Sequence, residues 1–362
     1  MKELTKAGLA VAVVAIIGSA AAYEVLTSRA PASPCASYTA EQLGAHGSPG
    51  TVTGNTTANY AGGTSTNGPI RTVPLGETIK IVAAENFWGN LVGQLGGNLT
   101  SVLSIVSDPN ADPHEYDANT SDAAAVATAN FVIVNGVGYD DWALKLLSAS
   151  NSPGQEILNV GTLNGVFVDG GIVTGNPHMW YDPVYVNHTL LALYSDLVAI
   201  QPQSRAAFQA DFASLNTSDG GASQGVSIDQ LYARANQIKT EFQGTVVAST
   251  ESVFVYLANY TGLDLISPQE FMKAVAEGND PPAASVALFQ CQVQGGYVKV
   301  LIYNVQTDTP VTTTIKALAP NNNVTTTFVS ETIQPPGTSF QNWMYGEYSN
   351  LLNALNAERL AR

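Results

Sequence analysis

Short runs of β-branched and apolar residues alternate with helix-like stretches from about residue 78 to residue 161. Runs of this length bounded by polar turns predict strands, and their alternation with helical patterns is typical of βαβ units around a parallel sheet. Four strands are predicted, at 78–84, 99–106, 131–136 and 156–161. We therefore expect an N-terminal α/β lobe over residues 76–200.

A second alternating set follows a long helical stretch. Residues 201–243 have helical periodicity, interrupted by the Gly/Ser-rich insertion at 216–229, and predict a connecting helix. Strands are then predicted at 245–249, 263–267, 298–304 and 325–330, and a closing helix at 340–360. The expected fold is α/β, with a C-terminal lobe at 244–362, parallel sheets flanked by helices, and a cleft between the lobes.

The first 75 residues differ from the rest. Lys2 and Lys6 precede an uncharged run at 7–23, which predicts a membrane anchor or signal segment over residues 1–26, with an uncleaved anchor favoured. Residues 27–75 are rich in Ser, Thr, Gly and Pro, which predicts a flexible stalk in which His46 is solvated. Either form of the N-terminal segment places the body outside the cell membrane.

Composition narrows the class of partner. A net charge of −15 disfavours nucleic acid and anionic lipid surfaces and is compatible with a cationic ligand. The two cysteines, Cys35 and Cys291, are far apart and form no disulfide framework; a single bridge between them is one alternative, and free thiols are the expectation. Seven Asn-x-Ser/Thr sequons predict a glycoprotein if the chain meets a glycosylation machinery, at Asn55, Asn98, Asn119, Asn187, Asn216, Asn259 and Asn323.

Four polar residues follow predicted strands, where ligands of parallel α/β sheets bind. They are His114, His178, Glu251 and Glu331. Imidazole and carboxylate together suit divalent transition metals, and ligands from both lobes would let one ion bridge the cleft. Both histidines follow a proline, which stiffens the loop that presents them.

Each of these residues also has a simpler interpretation when taken alone. A single histidine in a polar loop is usually a solvated surface residue. Glu251 fits the first turn of a helix, and Glu331 fits an acidic loop. His188 lies inside a helical pattern, where a histidine is more often packed or at the surface than a metal ligand. Glu277 and Asp280 are interpreted as residues that shape a loop or the rim of the cleft.

The order of motifs resembles a known family. "DPHEYD", "PHMWYDP", "STESVFVYLANYTGL" and "VSETIQPPGTSFQNWM" occur in the order found in zinc/manganese-binding solute receptors of ABC transporters, over residues 76–358. The resemblance implies one metal between two lobes joined by a long helix, with His114, His178 and Glu251 at three ligand positions. The fourth position falls near Ser330 and Glu331, with Glu331 as the donor. The chain departs from many zinc-type members because it lacks their acidic, His-rich loop after His114.

The expected function is an extracellular receptor that captures Zn or Mn as cargo and delivers it to a membrane permease, without catalysis. Two imidazoles and two carboxylates form a harder donor set than three imidazoles and one carboxylate, which moves the site toward Mn(II) without excluding Zn(II). One alternative is a metal-dependent hydrolase with an open coordination position and Glu115 as base. Another is a surface adhesin or surface-layer protein.

Overall fold

The computed structural model describes residues 68–109, 113–150, 152–166, 175–217 and 225–361. It also describes shorter stretches, at 35, 38–39, 42–43, 64–66, 168–169 and 172–173. The predicted anchor at 1–26 and His46 lie outside the described residues. Within the described part of the chain, no helix has both the length and the apolar character needed to cross a bilayer.

A five-stranded sheet forms the first lobe. Its strands are β1 (Thr64–Thr66), β2 (Ile79–Glu85), β3 (Thr100–Val106), β4 (Phe131–Val134) and β5 (Glu156–Asn159). The order is β1-β5-β4-β2-β3, with β2 to β5 parallel and β1 antiparallel to β5. The four predicted strands are thus confirmed, while β1 was not predicted. A small hairpin follows, with strands β6 (Val168–Asp169) and β7 (Ile172–Val173).

Helices of the first lobe connect and cover these strands. They are α1 (Asn86–Gly96), α2 (Thr120–Thr128), α3 (Asp141–Ser150), α4 (Val160–Leu163) and α5 (Pro183–Ile200). Asn119 caps α2 by accepting hydrogen bonds from the backbone N–H groups of Ser121 and Asp122. The Asp122 side chain in turn accepts from the Asn119 N–H and completes a capping box.

The second lobe holds a parallel four-stranded sheet in the order β11-β10-β8-β9. Its strands are β8 (Val246–Ser249), β9 (Asp264–Leu265), β10 (Val300–Asn304) and β11 (Thr325–Val329). Its helices are α8 (Val255–Thr261), α9 (Gln269–Ala276), α10 (Ala283–Gln294), α11 (Pro310–Asn321) and α12 (Phe340–Leu360). The predicted strands and the closing helix are confirmed.

The connecting region at 201–243 contains two helices rather than one continuous helix. Helix α6 (Arg205–Asn216) packs on α1 and α5 of the first lobe, and α7 (Ile228–Phe242) packs on α8 and α12 of the second. The Gly/Ser-rich insertion lies between them. Ser227 caps α7 and forms a capping box with Gln230, so the helix begins at Ile228, within the last residues of the predicted insertion.

The two lobes share a hydrophobic core. One cluster of buried side chains runs from α1 and β2 of the first lobe to β10, β11 and α12 of the second. Phe87 stacks on Trp180 with ring centroids 4.0 Å apart. The Tyr181 hydroxyl donates a hydrogen bond of 2.8 Å to the carbonyl oxygen of Ser330, across the lobe boundary. Loops that enter the cleft are therefore held by packed aromatic residues.

A disulfide joins Cys35 to Cys291 on α10, so the expectation of two free thiols is wrong. The Gln292 amide also donates to the carbonyl oxygen of Gln42, at 3.0 Å. Strand β1 pairs with β5 of the first lobe. The described residues of the segment predicted as a flexible stalk thus contact both lobes.

Cys291→Ser should lower the stability of the protein. The bond closes a separation of 256 residues, and loss of a crosslink across a loop of this length costs about 5.5 kcal/mol in the chain-entropy account. Thermal unfolding with and without reductant measures the loss. Cys35→Ser should match Cys291→Ser, and the double variant should lose no more than either. Identical melting temperatures under oxidising and reducing conditions would contradict the bond.

Candidate metal centre

Four side chains from both lobes converge in the cleft. His114 lies in a 3₁₀ turn after β3, and His178 directly precedes the 3₁₀ turn Met179–Tyr181. Glu251 follows β8, and Glu331 follows β11. One candidate ligand atom from each residue lies within 4.8 Å of all the others. The structure therefore brings together all four residues that the sequence singled out.

The distances fit a small cation at the centre of the cluster. Oε2 of Glu331 lies 3.2 Å from Nε2 of His114 and 3.3 Å from Nε2 of His178. Oε1 of Glu251 lies 3.5 Å from Nε2 of His178. A tetrahedron with metal–ligand bonds of about 2.0–2.1 Å has edges of about 3.3–3.4 Å. The measured separations are close to these edges.

Burial makes the cluster electrostatically unusual. His178, Glu251 and Glu331 are fully buried, while the His114 side chain is 17% exposed. Among the ion pairs of the described residues, neither carboxylate contacts a lysine or an arginine. Two carboxylates without a fixed cation in a water-poor site favour the binding of a cationic ligand.

The two carboxyl groups have opposite pKa shifts. Burial, followed by the proximity of Glu331, raises the pKa of Glu251 to about 8. Burial also acts to raise the pKa of Glu331, but His114 and His178 outweigh it and hold this pKa well below its usual range. Burial lowers the pKa of His178, which favours the neutral imidazole that binds metals. Before any cation binds, the pair thus carries one negative charge at neutral pH.

Asn176 sets the orientation of His178. Oδ1 of Asn176 lies 2.6 Å from Nδ1 of His178 and also accepts a hydrogen bond from its backbone N–H at 2.9 Å. The Asn176 amide in turn donates to the carbonyl oxygen of Ser252, in the second lobe. An acceptor at Nδ1 keeps a proton on that nitrogen, so Nε2, which faces the two carboxylates, is the nitrogen that can bind a cation once it has lost its own proton. The tautomer with its proton on Nδ1 alone is the one that a metal ligand at Nε2 requires.

Two further side chains hold the carboxylates. The Tyr139 hydroxyl donates to Oε2 of Glu331 at 2.8 Å. The Asn304 amide donates to Oε1 of Glu331 at 2.6 Å and to Oε2 of Glu251. Sequence reasoning missed these residues and Asn176. The search for polar residues at the ends of predicted strands considered charged and imidazole side chains. Had it included neutral ones, it would have found Asn304, the last residue of β10, and Tyr139, in the loop after β4.

Other residues considered from the sequence lie outside the cluster. Nδ1 of His188 is 3.0 Å from Oδ1 of Asn164, on the helix side of the first lobe. Glu115, which a hydrolase would use as a base, is exposed. Glu277 and Asp280 are exposed as well. None of these four belongs to the group of converging ligand atoms.

Comparison with known proteins identifies relatives over most of the chain. The sequence profile of the family described as "Zinc-uptake complex component A periplasmic" (ZnuA) matches residues 81–354. The manganese-binding lipoprotein MntA of Halalkalibacterium halodurans is 29% identical over 139 residues, which is 38% of this chain and 44% of that protein. A putative metal-binding protein of Thermotoga maritima is 23% identical over 193 residues, or 52% of this chain and 63% of that protein. These alignments thus span less than two thirds of either relative.

Solved structures share the fold. The Mn-bound periplasmic metal-binding protein of Candidatus Liberibacter asiaticus superposes with a TM-score of 0.60 at 13% identity, covering 77% of this chain and 100% of that one. A crystal structure of ZnuA superposes with a TM-score of 0.58 at 18% identity, covering 78% and 99%. The two-lobe architecture is therefore that of periplasmic metal-binding proteins.

Glu251→Gln should make the metal-free protein less sensitive to pH. In the wild type, Glu251 keeps its proton up to about pH 8 when folded, whereas the unfolded chain releases it near about pH 4.3. The folded state therefore binds more protons in this window, and its stability falls as pH rises. With chelator present, the melting temperature of the variant minus that of the wild type should increase between about pH 5 and about pH 8. Glu115→Gln replaces an exposed glutamate and is the control. If the difference in melting temperature between Glu251→Gln and the wild type is the same at every pH, the raised pKa of Glu251 is wrong.

Proposed function

Because the chain belongs to the ZnuA family of periplasmic zinc-uptake components, we propose that it is a receptor that captures one divalent transition metal ion outside the cytoplasm for uptake by an ABC transporter. The observation that carries this proposal is the buried cluster of His114, His178, Glu251 and Glu331, donated by both lobes. A metal at this position would be cargo. Its binding would join the lobes at the cleft.

Zn(II) and Mn(II) are the proposed cargo ions. Imidazole nitrogens suit zinc and carboxylate oxygens suit manganese, and the edge lengths near 3.3 Å suit a small ion. The relatives point the same way, since one is named for manganese and the family for zinc. All four residues act as ligands in this proposal.

Capture and release, without catalysis, fit this site better than metal-assisted hydrolysis. A catalytic zinc site has an open coordination position for water and a base beside it. Here four protein atoms surround the centre, and Glu115 is exposed. The adhesin alternative gives no reason to bury two carboxylates beside two imidazoles.

Delivery requires a permease at the membrane, and the N-terminal segment is proposed as the anchor that keeps the receptor there. Residues 1–26 supply the apolar run, and Cys35 is bonded to α10. The link between anchor and body then consists of the eight residues 27–34, and its nine steps from residue 26 to residue 35 reach at most about 32 Å. Membrane fractionation with and without Lys2–Leu26 deleted tests the anchor.

His114→Ala and His178→Ala should each weaken zinc and manganese binding by more than about 100-fold. Each removes one of four ligands from a buried centre, whereas the folded core lies elsewhere. Calorimetric titration measures the affinities, and circular dichroism checks the fold. His188→Ala is the matched control and should bind like wild type, because His188 pairs with Asn164 away from the centre. Wild-type affinity in either cluster variant would refute the ligand assignment.

Metal should raise the melting temperature by joining the lobes. A ligand that binds only the folded state at 100 times its Kd stabilises it by about 2.7 kcal/mol. Thermal scans with zinc, and then with excess chelator, measure the gain and its reversal. The His178→Ala variant should show no gain. Superimposable wild-type curves at saturating metal would favour the adhesin alternative instead.

A further inference from the structure

Each cluster carboxylate has one oxygen directed at the centre and one held by Asn304. Oε1 of Glu251 and Oε2 of Glu331 face Nε2 of His178, at 3.5 Å and 3.3 Å. Their other oxygens, Oε2 of Glu251 and Oε1 of Glu331, both accept hydrogen bonds from Nδ2 of Asn304. A single neutral amide therefore occupies the outer oxygen of both carboxylates.

Asn304 is itself fixed in place. It is the last residue of β10, the strand between β8 and β11 from which the two glutamates emerge. Its Oδ1 accepts the backbone N–H of Gln306 at 3.0 Å, and this contact determines which end of the amide points at the glutamates. The side chain is buried, with 1% of its surface exposed, so water cannot readily replace it.

We infer that Asn304 is a specificity-determining residue that keeps both glutamates monodentate and thereby limits the bound ion to four protein ligands. This inference rests on the proposed receptor function and names the metal that the site selects. Zinc takes four ligands readily in a tetrahedron. Manganese favours oxygen ligands and six-coordinate geometry, so it needs further oxygen atoms.

The surroundings leave manganese with few sources of those atoms. Three of the four ligand side chains are fully buried, and His114 alone is partly exposed. Oε2 of Glu331 already accepts a hydrogen bond from Tyr139, which occupies one of its lone pairs. The outer oxygens of the glutamates are the nearest additional donors, and Asn304 holds them away from the centre. The ratio of zinc affinity to manganese affinity should therefore be higher than two imidazoles and two carboxylates alone would give.

Asn304→Leu tests the inference, because leucine is branched at Cγ like asparagine and donates no hydrogen bond. Competitive titration of zinc against manganese should show the ratio of their affinities falling by at least about tenfold relative to wild type. Gln292→Leu is the matched control, since Gln292 is a buried amide of the same lobe that donates to the carbonyl oxygen of Ile266. It should leave the affinity ratio unchanged.

X-ray absorption spectroscopy of the metal-loaded proteins gives a second measurement, and its result for the wild type tests the inference without any variant. Zinc in the wild type should have four nitrogen and oxygen neighbours, and Asn304→Leu should add carboxylate oxygens at short distance. A wild-type centre with either glutamate bidentate would overturn the inference even if the variant does not fold. An unchanged affinity ratio in folded Asn304→Leu would also overturn it. If the wild type binds neither ion, the receptor function itself fails.

Discussion

Two carboxylates, Glu251 and Glu331, are buried side by side in the cleft with no lysine or arginine among their ion-pair partners in the described chain. Transferring a charge from water into such a site costs several kcal/mol, and a second like charge adds repulsion. The metal-free protein limits this cost by keeping Glu251 protonated while the histidines stabilise the charge on Glu331. A divalent cation stabilises the ionised form of both carboxylates, because its positive charge attracts both and displaces the proton from Glu251.

The shared core makes this arrangement possible. The ligands come from loops of both lobes, and each loop is fixed by residues that pack or hydrogen-bond across the boundary. Tyr181 follows His178 closely and donates to the carbonyl oxygen of Ser330, the residue before Glu331. Asn176 connects the His178 loop to Ser252 of the second lobe. These contacts hold the ligand-bearing loops of both lobes in register, which lowers the ordering cost of binding an ion between them.

The sheets and the four clustered side chains could be predicted from the sequence for one reason: both depend on local patterns. Alternating apolar runs located the strands to within a few residues, and charged or imidazole side chains at their carboxyl ends located His114, His178, Glu251 and Glu331. Asn304 was missed because a neutral amide at a strand end looks like a turn residue. The Cys35–Cys291 bond was missed because its 256-residue separation leaves no local signal.

Zinc titration of the chelator-treated full-length chain, repeated in two buffers of different ionisation enthalpy, tests the central claim most directly. If the buried cluster binds one ion, the protein takes up one zinc per chain and releases protons near neutral pH, since Glu251 and every protonated histidine of the cluster must lose a proton to become a ligand. The number of protons released should decrease when the pH is raised above the pKa of Glu251, about 8. Absence of stoichiometric zinc binding, or binding without proton release, would contradict the account.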